Sequence, residues 1–328
     1  MRFKSFFVFL FLLLGVAELQ AQQNVAQNSI FYGTIYRPNG LKWMELNSPH
    51  FKVVFPEGYE EYAQRTADIL EQELPKTNAL TGGKLKRIPV VINTYNDLSN
   101  GYVTPFHFRI EVELPPILGK SLNQGNGDWL ANVMAHELVH ASHGAVRPKR
   151  SLYSLLNIIS PDLYKATNFS APSGHIEGIA VHHESDSLVS ETGRGYYPDF
   201  VNQFHAVELS DPWTMGQLYF PSNRTQPFNR HYVGGYAFSK WLIDTYGSDI
   251  YAKAHDTLIR WPFLGFGFAL KVQTGKWPGE LYDDFKEVYK APEVTLGKRN
   301  FVAPKLDGHF ERRAQWLNND ELVYFGRY

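Results

Sequence analysis

Residues 128–144 decide the reading, and within them His136-Glu137-Leu138-Val139-His140. Asp128 can cap a helix that begins at Trp129, runs to about His143 and stops at Gly144. At 3.6 residues per turn, His136 and His140 leave the same helix face, one above the other. Two imidazoles so placed can bind one zinc ion. Glu137 is offset by about 100°, so it can reach a metal-bound water without ligating the metal. The plainer alternative is a helix whose two histidines are merely packed or solvated.

A catalytic zinc normally takes three protein ligands and keeps a fourth position for water. His143 lies on the same helix, which cannot easily wrap three of its own side chains around one ion. A second arrangement puts Gly three residues after the second histidine and another His three further on. Those positions hold His143 and Val146, so that pattern fails. The remaining source is a following helix, predicted from Gly174 to about Asp186, which carries Glu177 and, as rivals, His182, His183 and Glu184.

Composition narrows the alternatives. The chain has 328 residues, 44% apolar and 20% charged, which fits one large or two modest globular domains and excludes a disordered chain. With 32 Lys+Arg against 33 Asp+Glu it lacks the basic surplus expected of a nucleic-acid partner. There is no cysteine, so any metal must be held by His, Asp or Glu, and 12 histidines are present. Residues 1–21 have the pattern of a secretory signal peptide: Arg2 and Lys4, an apolar run from Phe6 to Val16, and a cut before Gln22. The run is shorter than the roughly 20 residues that span a bilayer, and no later segment is apolar enough to do so. The expected location is periplasmic or extracellular.

Beyond the signal, residues 22–41 read as a flexible polar segment. Short strands are predicted at Trp43–Leu46, Phe51–Phe55 and Ile88–Asn93, with a helix from Tyr59 to Leu74 that Pro75 should kink or end. Phe106–Leu114 alternates as an edge strand, with His107, Arg109, Glu111 and Glu113 on its polar face. Glu111 and Glu113 are expected there as solvated carboxylates. After the 128–144 and 174–186 helices, a further helix is predicted from Tyr232 to Tyr246. Helical spacing then continues from Asp249 to Tyr289, broken near Pro262 and Pro278. Two phosphate-loop look-alikes, at Gly82-Gly83-Lys84 and Gly265-Phe266-Gly267, lack the required spacing.

His136–His140 followed by Glu177-Gly178-Ile179-Ala180 resembles the gluzincin, peptidase MA-like zinc metallopeptidases. Asn100-Gly101-Tyr102, Gly193-Arg194-Gly195 and Tyr232-Val233-Gly234-Gly235-Tyr236 add to the likeness, which covers roughly residues 50–290. The resemblance implies an α+β fold. An N-terminal lobe of mixed sheet and helix would carry the active-site helix, and a mainly helical C-terminal lobe would follow. It assigns one Zn2+ to His136, His140 and Glu177, makes Glu137 the general base and gives Tyr232 the oxyanion-donor role, with His231 as a second candidate. Val181 stands where related enzymes have a carboxylate that supports a zinc histidine, so that partner is unassigned. Residues 296–328 resemble the start of a TolB-like β-propeller, and Asn318-Asn319-Asp320 is the expected turn. A peptide or unfolded protein is the expected substrate, cleaved internally, since no segment of the aminopeptidase type is found. The alternative is a non-catalytic binding module that keeps the fold. Hydrolysis of some other bond is a third option.

Overall fold

The structure, a computed structural model, describes residues 38–116, 127–147, 151–189, 192–210, 212–221, 229–289 and 310–327. The expected signal peptide and most of segment 22–41 lie outside the described residues, as does the beginning of the 296–328 tail. The chain divides into two compact units, residues 1–291 and 292–328.

The first unit is α+β. Its five-stranded mixed sheet contains β1 (Trp43–Asn47), β2 (Phe51–Pro56), β3 (Ile88–Asn93), β4 (Asn100–Thr104) and β5 (Arg109–Glu113), in the order β1-β2-β3-β5-β4. β2 and β3 run parallel and are joined by helix α1 (Glu60–Thr81). β5 is parallel to β3 and antiparallel to β4. Alternation sends Phe51, Val53, Val90, Ile92, Ile110 and Val112 to one face of the sheet. There they bury against Leu70 and Leu74 of α1 and against Leu130, Met134 and Leu138 of α2 (Trp129–Gly144).

Helices make up the rest of the unit. Two short ones, α3 (Leu156–Ile159) and α4 (Pro161–Thr167), precede α5 (Ser173–Ser185), α6 (Pro198–Ser210) and α7 (Met215–Tyr219). Then come α8 (Arg230–Tyr246), α9 (Ile250–Arg260), α10 (Gly265–Thr274) and α11 (Pro278–Val288). A second core of Phe204, Trp213, Leu218, Phe238, Trp241, Leu281 and Phe285 lies among them. Leu80, Val139, Ile179, Ala180 and Tyr251 form a smaller cluster that joins α1 and α2 to α5 and α9. Among the described residues no helix is long and apolar enough to cross a membrane.

Three expectations are corrected here. α1 does not stop at Pro75 but continues to Thr81 and is closed by Gly82 in the left-handed conformation, φ +75°. A proline in a helix interior costs about 3 kcal/mol. The turn beyond it is held by buried Thr77, Leu80 and Thr81 and by a 2.7 Å bond from Thr81 Oγ1 to Ser142 Oγ of α2. Second, Phe106–Leu114 is not an edge strand. Residues 105–108 form a turn, with His107 at φ 51°, and β5 lies between β3 and β4, so the edge belongs to β4. Third, Glu111 and Glu113 are buried rather than solvated. Asn93 donates to both, Asn96 to Glu113, and Tyr102 and Arg109 to Glu111.

In the second unit, β6 (Phe310–Trp316) and β7 (Leu322–Arg327) form an antiparallel hairpin. Its turn falls where the sequence placed it. Asn318 Oδ1 accepts from the amides of Asp320 and Glu321, each at 2.9 Å.

Three histidines are buried where the helices meet the first lobe. The ring nitrogens Nε2 of His143 and His255 both reach the Asn168 carbonyl, at 2.7 and 3.0 Å, and the two rings stack at 3.8 Å. His175 stacks on Tyr251 at 4.5 Å. Burial holds the His143 and His175 imidazoles well below the usual range and His255 down at about 4, opposed at His143 and His255 by the hydrogen bond each donates to the Asn168 carbonyl. The unfolded chain takes up protons at such sites from about pH 6.5 downward, while in the folded chain His255 resists until about pH 4. Stability therefore falls as pH drops through that window, His255 alone contributing on the order of 3 kcal/mol. Urea midpoints should decrease steadily from pH 7 to pH 4.5. His255→Phe should flatten that slope.

Candidate metal centre

α2 is anchored at both ends. The Asp128 side chain accepts from the Ala131 amide, and Asn168 Nδ2 donates to the carbonyls of Gly144 and Val146 at 2.7 and 3.0 Å. His136 and His140 point from α2 toward α5. They meet at 4.8 Å between ring centroids, edge to face.

α5 reaches this point because glycines let it cross α8 backbone to backbone. A Cβ on Gly178 would lie 2.2 Å from the Gly235 carbonyl oxygen, and one on Gly235 would lie 2.0 Å from that of Gly174. Gly174 is equally confined by the Leu218 carbonyl oxygen, at 2.0 Å, so a large side chain has no space there. This contact carries Glu177 and Tyr232 to the same spot from two helices.

Glu177 Oε2 lies 3.2 Å from His136 Nε2 and 3.3 Å from His140 Nε2, and the two Nε2 atoms are 3.1 Å apart. Among the described residues these three form the one group of His and carboxylate side chains placed to hold a metal ion. A tetrahedral centre with bonds of about 2.0–2.2 Å sets neighbouring ligand atoms roughly 3.3–3.6 Å apart, and the three atoms are at or just short of that distance, as a small cation requires. The charges agree with it. Burial would raise the Glu177 carboxyl, but His140 and His136 hold it well below the carboxylate range. Burial would lower His136, but hydrogen bonds to Glu177 and Glu184 push it up to about 9.

The partner missing from position 181 comes from Glu184, two turns beyond Glu177. Its Oε2 lies 2.8 Å from His136 Nδ1, so with the ring proton on Nδ1 the carboxylate accepts it and the Nε2 lone pair is left facing the cluster. Arg194 grips Glu184 with Nε at 2.7 Å, Nη2 at 2.8 Å and its backbone amide at 2.9 Å. Burial would raise the Glu184 carboxyl, but the Arg194 charge and hydrogen bonds hold it at about 2. Arg194 also lies 5.0 Å over the Tyr232 ring. The segment leading to it is tied to α1. Fully buried Glu73 accepts from Ser187 Oγ at 2.7 Å and from the amides of Leu188 and Val189.

The other candidates are sorted by their contacts. His143 bonds Asn168 and Tyr251, so it turns away from the cluster. His183 Nε2 lies between Thr77 Oγ1 at 2.9 Å and Glu73 Oε2 at 3.1 Å. Glu137 is 4% exposed, and its Oε2 has no hydrogen-bond partner among the described residues. Burial raises its carboxyl, opposed by His140 and His136. Tyr232 lies beside His136, ring centroids 6.4 Å apart; burial and then the Glu177 charge keep its phenol protonated well above the usual range. His231 packs on the Tyr232 ring at 4.5 Å.

No protein-family model matches the chain, and no curated protein matches it. The metal centre therefore stands on its own geometry. Glu184→Gln, which keeps the shape but not the charge, should weaken metal binding about 10- to 100-fold by calorimetric titration. Glu177→Ala should lower the metal content well below one ion per chain.

Proposed function

We propose that this protein is an exported zinc-dependent metallopeptidase of the gluzincin, peptidase MA-like type, cleaving peptide bonds within a chain. One observation carries the reading. Two imidazole nitrogens and a carboxylate oxygen converge within 3.3 Å, and the Glu137 carboxylate is buried next to one of the histidines with no donor for Oε2 among the described residues. A set of two nitrogens and one oxygen suits zinc and leaves a fourth position open.

Zinc bound there supplies Lewis acidity, acidifying a water molecule and polarising a carbonyl. Glu137 acts through its carboxylate oxygens. It accepts the proton of the attacking water and delivers it to the leaving amine. Its burial lifts the carboxyl toward the range where it can both take up and release a proton. Tyr232 stays protonated, so its phenol donates to the oxygen on which negative charge develops. Glu184 and Arg194 hold the His136 ring in the tautomer that presents Nε2. β4, the sheet edge, packs against α2 and offers main-chain groups to an extended peptide.

The test combines metal analysis with cleavage of an unstructured protein. Wild type should carry about one zinc and cut the substrate. Glu137→Gln should retain zinc and lose at least about a thousandfold in kcat, since base and charge go together. Zinc-loaded wild type that cuts nothing in a broad peptide library would leave a peptide-binding module as the better reading.

A further inference from the structure

Gly101 sits on β4 opposite Val112, whose side chain enters the core under α2, while the next pair, Tyr102 and Glu111, faces the other side of the sheet. The Cα of Gly101 is thus turned toward α2, and the space there is already taken. A Cβ on Gly101 would lie 2.5 Å from Val133 Cγ2, 2.8 Å from Glu137 Cγ and 3.1 Å from Glu137 Oε1. Val133 precedes Glu137 by one turn, is 5% exposed, and as a β-branched residue on a helix has one strongly preferred rotamer. Val133 therefore cannot yield freely, and the adjustment falls on Glu137.

We propose that Gly101 is the residue that positions the Glu137 carboxylate. This rests on the reading of Glu137 as the base. Three soft torsions would otherwise let a glutamate swing away from its proton donor. The bare main chain of β4 at residue 101 forms a wall against Glu137 Cγ and Oε1, so the carboxylate is held at one height on α2. Any side chain at 101 moves that wall inward. Ordinary contact begins at 3.4 Å, so with a methyl at 2.8 Å Glu137 Cγ must retreat by about 0.6 Å. Displacements of about 1 Å in a reacting group cost on the order of a hundredfold in rate. β4 therefore does more than end the sheet: it aligns the base.

Gly101→Ala in the full-length zinc-loaded protein tests this, beside the companion Gly101→Ala/Val133→Ala. The single variant should keep about one zinc while kcat falls about 10- to 100-fold. The companion relieves the 2.5 Å contact but not the 2.8 Å contact. It should regain thermal stability and remain slow. Wild-type kcat in the single variant, or full recovery of kcat in the companion, overturns the proposal. If wild type itself cleaves no peptide, the peptidase reading fails instead. Crystal structures of wild type and Gly101→Ala then still decide: Glu137 Cγ should shift by roughly half an ångström, whereas an unmoved Glu137 beside a displaced β4 overturns the proposal.

Discussion

Two imidazole nitrogens and a carboxylate oxygen in a protein interior, each 3.1–3.3 Å from the others, repel one another unless positive charge sits among them. A proton can supply it, which is why His136 holds on to one up to about pH 9. A divalent cation supplies it better, and each ligand must then give up its proton. Much of the surrounding structure answers this demand. Glu184 takes up the far side of His136, and Arg194 neutralises Glu184. Glu73 fixes the start of the segment that brings Arg194 in. A largely buried set of charges in which each has a named partner is costly to break at any one point.

The parts legible in the sequence were those governed by local rules. Asp128 started α2 because N-capping chemistry is local, and the four-residue spacing of His136 and His140 implied one face for the same reason; Gly144 is the last helical residue rather than a left-handed cap, and Ala145 closes the helix. The Asn318 turn was readable because an asparagine side chain bonds amides two and three residues on. What was not legible depended on partners distant in sequence. Pro75 was expected to kink or end its helix near Leu74, but the turn beyond it is held by Ser142 and by buried side chains of the same helix. Alternation around Glu111 and Glu113 suggested an outward-facing polar row. Pairing with β4 put β5 inside the sheet, where Asn93, Asn96, Tyr102 and Arg109 bury both carboxylates.

Glu184 shows the same limit at the site. The sequence reading sought a supporting carboxylate four residues after Glu177 and found Val181. The structure supplies it seven residues on, which is again the same helix face, since two turns take about 7.2 residues. The signal was present in Glu177 and Glu184 as a two-turn pair. What no local rule revealed was that Arg194 would return to hold the second member. Tyr232 likewise belongs to the centre only because α8 crosses α5 where both helices carry glycine.

That crossing has a mechanical consequence. Where side chains separate two helices, a change in one can be absorbed by rotamer shifts in the layer between them. Between α5 and α8 there is no such layer at residues 174, 178 and 235, because carbonyl oxygen meets glycine Cα directly. The two backbones are coupled at this crossing, so a side chain added at 174, 178 or 235 would push apart the helices that carry Glu177 and Tyr232.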